Sequence, residues 1–101
     1  MIIEFNAQGV CIRTTERNAE YILARIGARI YRVYTQGNAN VEEVMERTLL
    51  HEKRKFSDES IFISLSQNIF SPQGEWWLHI DFLTKCSARE IVLQALQELN
   101  R

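Results

Sequence analysis

The stretch Leu23-Ala24-Arg25-Ile26-Gly27-Ala28-Arg29-Ile30-Tyr31-Arg32-Val33-Tyr34-Thr35-Gln36 decides how this chain is read. Ahead of it, Ala19, Ile22, Leu23 and Ile26 recur at the spacing of one buried helical face, and Ile30, Val33 and Tyr34 continue that face if the helix runs on to Gln36. Gly27 argues for a stop, because glycine readily adopts the left-handed conformation that ends helices. Beyond it, Ile30–Thr35 holds five β-branched or aromatic residues in six, the composition of a strand. The reading adopted is a helix to about Ile26 followed by a strand within residues 28–36, with one long helix as the alternative.

Outward from this stretch the elements are clearer. Ile2, Ile3 and Phe5, then Asn6-Ala7-Gln8-Gly9, then alternating Val10-Cys11-Ile12-Arg13 predict two short strands around a tight turn, and Thr14 or Thr15 can cap the following helix. Gly37-Asn38-Ala39-Asn40 supplies a turn and a cap for a second helix to about residue 55, with Val41, Val44, Met45, Leu49 and Phe56 on one face. Its acidic start (Glu42, Glu43, Glu46) and basic end (Lys53, Arg54, Lys55) complement the helix dipole.

Residues near 61–70 and 75–84 predict an antiparallel hairpin around Ser71-Pro72-Gln73-Gly74, with Ile63, Leu65, Leu78, Ile80 and Phe82 on its core side. Ser87-Ala88-Arg89-Glu90 predicts a reciprocal capping box opening a last helix striped by Ile91, Val92, Ala95, Leu96 and Leu99.

The order is then ββαβαββα. A hairpin with one apolar and one mainly polar face implies an α+β two-layer sandwich with a mixed or antiparallel sheet. Without the first hairpin, the order βαβαββα resembles a thioredoxin-like fold in element order alone. The chain has no Cys-x-x-Cys and no proline directly before Ile61, so that resemblance implies no redox chemistry.

A chain of 101 residues, 46% apolar and 25% charged, is expected to form one domain spanning 1–101 without staples. Its 12 Lys and Arg against 13 Asp and Glu give a net charge of −1, which removes the signature of a dedicated DNA or anionic-membrane binder. Two distant cysteines, Cys11 and Cys86, exclude the usual zinc spacings and suit a reducing cytoplasm. No signal, membrane span, phosphate loop or metal motif is legible, so no cofactor is expected.

His79 and Asp81 share one strand face, with Ser64 and Ser66 available opposite, yet an open sheet face offers no oxyanion hole. Trp77 belongs to that same face with Phe62 and Leu83, and large apolar groups among Ser, His and Asp point to cover by a partner or a loop. Leu50, beside Arg47 and Arg54, is a smaller case of the same kind. The expectation is a small cytoplasmic protein-interaction or regulatory domain without catalytic activity, binding another protein or a second copy through Trp77, Phe62, His79, Leu50 and Arg54. The alternative is nucleic-acid binding by an Arg/Lys patch with aromatic stacking, in which Arg25, Arg29 and Arg32 line up only if the first helix passes Gly27.

Overall fold

In a computed structural model describing all residues from Met1 to Arg101, five strands form one antiparallel sheet in the order β1-β2-β5-β4-β3. These are β1 (Ile2–Phe5), β2 (Gly9–Thr14), β3 (Lys55–Ser57), β4 (Ile61–Gln67) and β5 (Trp76–Phe82). The helices are α1 (Ala19–Thr35), α2 (Ala39–Arg47), which continues into a π-helical segment at Thr48–Glu52, and α3 (Ala88–Leu99). The architecture is the α+β class that the alternating hairpin implied, with a wholly antiparallel sheet. No helix is long and apolar enough to cross a membrane.

Both hairpins form. Asn6 Oδ1 accepts from the backbone N–H groups of Gln8 and Gly9, each at 2.8 Å, and so closes the first turn. Gly9 then runs so close to β5 that a Cβ on it would stand 1.9 Å from the Ile80 carbonyl oxygen, a position only glycine can fill. In the second hairpin Ile63 pairs with Ile80 and Leu65 with Leu78, and Ile63, Leu65, Leu78, Ile80 and Phe82 are all buried. They join Val10, Ile12 and Ile61 beneath Leu23, Ile30, Leu49 and Val92 in one apolar cluster on a single side of the sheet.

Residues 28–36 are helical, which corrects the strand expected there. Gly27 does not end α1; it is buried, and a Cβ on it would meet Leu49 Cδ1 at 3.0 Å. The glycine is therefore a packing residue that lets α1 lie close to the sheet. The left-handed terminator is Gln36 (φ 55°), and Gly37 N–H donates back to Arg32 O at 2.9 Å.

The second helix is also shorter than expected. After Arg47 the backbone widens, Lys53 and Arg54 both donate N–H to Thr48 O, and Arg54 turns through φ 58° into β3. Phe56 consequently sits on a strand, its ring edge-on to Tyr31 at 5.2 Å.

Capping differs by site. Asn38 caps α2 as expected, its side chain accepting from Asn40 N and Val41 N. Neither Thr14 nor Thr15 caps α1: Thr14 ends β2 and accepts from Glu16 N, while Asn18 precedes α1 in a left-handed conformation. The Ser87–Glu90 box does not form either. Ser87 makes no side-chain cap bond and offers only its carbonyl to Ile91 N–H, while both side chains face water. Arg29 ties the helical layer together, donating to Glu42 of α2 and to Glu98 of α3.

Candidate functional site

The sheet face away from the helices carries no covering element, and its residues follow from the strand register. One row runs Ile2, Arg13, Trp77, Ser66; the next runs Glu4, Cys11, His79, Ser64, Lys55; a third runs Gly9, Asp81, Phe62, Ser57. Trp76 and Trp77 must point to opposite faces, and only Trp76 packs against the apolar cluster.

Trp77 is held on the open face by its neighbours. Its Nε1–H donates to Glu75 Oε1 at 2.6 Å, and the Arg13 guanidinium lies 5.6 Å from the ring centroid. Arg13 is steered by Glu4, with Nη2 3.1 Å from Oε1, and its buried Nε has no hydrogen-bond partner. His79 Nε2 and Asp81 Oδ2 are 3.1 Å apart, and the Phe62 ring meets His79 at 6.2 Å. Burial, then the Glu4 carboxylate, push the Cys11 thiol up against the weaker pull of Arg13, which favours its protonated form. Burial raises the Cys86 thiol likewise.

Of the five residues singled out from sequence, Trp77, Phe62 and His79 are brought together here. Leu50 and Arg54 are not part of this face. Leu50 lies on the π-helical segment, half-buried against the core, beside a shallow cleft shared with Tyr21, Arg47 and His51. Arg54 pairs with Glu20 at 3.1 Å and lies over the ring of Trp76 at 5.0 Å, on the core side.

The long α1 does align Arg25, Arg29 and Arg32, but Arg29 and Arg32 both engage Glu42, leaving Arg25 alone exposed. Ser64 stands directly opposite His79 in a row with no enclosing wall. No group of three His, Cys, Asp or Glu residues is placed to hold a metal ion.

Sequence reasoning missed the tip of the β4–β5 loop. Ile69 and Phe70 are 81% and 88% exposed, far more than any other large apolar residue of the chain. They do not dangle. Asn68 Oδ1 accepts from Phe70 N, Ser71 N donates to Asn68 O, Gly74 N to Ser71 O, and Glu75 N to Ser71 Oγ. Glu75 thus links the loop to Trp77, which it also binds through its carboxylate. The available signal was two large apolar residues inside an otherwise polar turn, Asn68 to Gly74.

No family model, curated protein or solved structure matches the chain.

Proposed function

We propose that this chain is a small protein-interaction or regulatory domain that acts by docking rather than by catalysis, and that its docking surface is the Trp77 end of the open sheet face together with the Ile69–Phe70 tip. The observation that carries this reading is the ordered display of Phe70. Holding a nearly fully exposed aromatic ring on a hydrogen-bonded loop has no folding benefit, since the ring buries nothing in the chain itself. Tryptophan and arginine side by side, as in Trp77 and Arg13, are the residue types enriched at interface hot spots. A reducing, cytoplasmic setting suits the two free thiols.

Affinity capture from the native host tests the reading, with wild type and Phe70→Ser as parallel baits. A partner retained by wild type and lost by the variant supports it; identical capture by both sinks it. Nucleic acid is the competing occupant, and it is less favoured because Glu42 engages Arg29 and Arg32, two of the three arginines of α1. Retardation of single- or double-stranded nucleic acid at low salt would displace the protein-docking reading.

A further inference from the structure

We propose that the free edge of β1 and the adjoining flank of α3 form a two-fold interface between two copies of this chain, joining their sheets into one antiparallel sheet. This inference concerns a different surface from the Trp77 face and stands or falls separately.

The backbone of β1 is set for such pairing. Asn6 N–H donates to Gly9 O, so the even-numbered residues Glu4 and Ile2 turn their polar groups to β2, and Ile3 and Phe5 turn theirs outward. The edge is blunted only by its shortness and by Glu4: Ile2-Ile3-Glu4-Phe5 has no lysine, no proline and no bulge. Two-fold antiparallel pairing centred on Ile3 places Ile3 against Ile3 of the second copy as a hydrogen-bonded pair, with Phe5 opposite the other Met1.

The helical layer shares that axis. Arg89 lies over the Phe5 ring at 4.6 Å, whereas Leu96, Leu99 and Asn100 line a groove with Met1 and Ile3, so α3 runs antiparallel to β1. Leu93, four residues and about 6 Å along α3 from Arg89, is level with Ile3, about 7 Å along β1 from Phe5. Leu93 falls on the same helical flank as Arg89, Leu96 and Asn100, facing out over the free edge, and it is 42% exposed. An axis through Ile3 therefore brings Leu93 of both copies together above it, and exposed apolar groups of both layers meet at one place.

Charge complementarity selects a second copy as the occupant. In the helical layer, antiparallel α3 helices set Arg89 against the last turn of the opposite helix, where carbonyl groups favour a cation.

Sedimentation of the full chain over a dilution series, with Ile3→Lys and Leu93→Glu, tests this. Wild type is expected at about twice 11.9 kDa, with both variants at the monomer mass and an unchanged far-UV spectrum. Should Ile3→Lys fail to fold, Leu93→Glu alone decides, because Leu93 lies outside the buried core. A wild type that stays monomeric, a dimer that survives Leu93→Glu, or a dimer abolished by Trp77→Ala but untouched by these two changes would overturn the proposal.

Discussion

Gly27 of α1 lies so close to Leu78 of β5 that a Cβ added to the glycine would stand 3.0 Å from Leu78 Cδ1. Gly27→Ala gains about 1 kcal/mol of helix propensity, while wedging a methyl between Leu49 and Leu78 costs about 1–3 kcal/mol. We expect a net loss of about 1 kcal/mol in denaturant unfolding. A stabilised variant would show that both leucines rotate aside and that the helix-to-sheet distance is not set by the glycine.

Ile80 is fully buried at the centre of the sheet, paired with Val10 on one side and Ile63 on the other. Truncation to alanine should cost about 2–5 kcal/mol. A loss under about 0.5 kcal/mol, the range of surface changes, would place this residue outside the core.

Two helix starts provide a paired comparison. Asn38→Ala removes two accepted hydrogen bonds and should cost about 0.5–2 kcal/mol. Ser87→Ala removes none, so its effect should stay within about 0.5 kcal/mol, and a Ser87/Glu90 double-mutant cycle should be additive. Coupling in that cycle would restore the reciprocal capping box.

These contrasts show what the sequence could carry. Strict alternation at Ile61–Leu65 and Leu78–Phe82 made the hairpin and its core face legible, because a strand's period fixes which side each residue takes. The fate of Gly27 was not legible, since a glycine that ends a helix and one that admits a neighbouring leucine look alike until the neighbour, fifty-one residues away, is in place. Ser87 and Glu90 had the right spacing, but the backbone at Ser87 decides whether the hydroxyl reaches the free N–H groups. Trp77, Phe62 and His79 were found by alternation; Leu50 and Arg54 were assigned from a helix that in fact ends in a π-helical turn.

Asp58 Oδ1 accepts from Ser60 N, Ser60 Oγ and Ile61 N, and these bonds, led by the Ser60 backbone, hold its carboxyl below the ordinary value. A depressed folded-state pKa adds stability that is complete above the unfolded value and is lost as pH falls through the folded one. Asp58→Ala should therefore be less stable than wild type at neutral pH, with the gap closing in acid below the usual carboxylate range. A gap that persists unchanged into strong acid would assign the effect to something other than the charge.

Docking through Trp77 and the Ile69–Phe70 tip is tested most directly by titrating the captured partner onto wild type and onto Trp77→Ala, with thermal unfolding of both proteins measured in parallel. Loss of a hot-spot aromatic costs about 2 kcal/mol or more, so affinity should fall by roughly 30-fold or more while the melting transition stays nearly in place. Unchanged affinity with a markedly lowered melting transition would show that Trp77 serves the fold alone, contradicting the account.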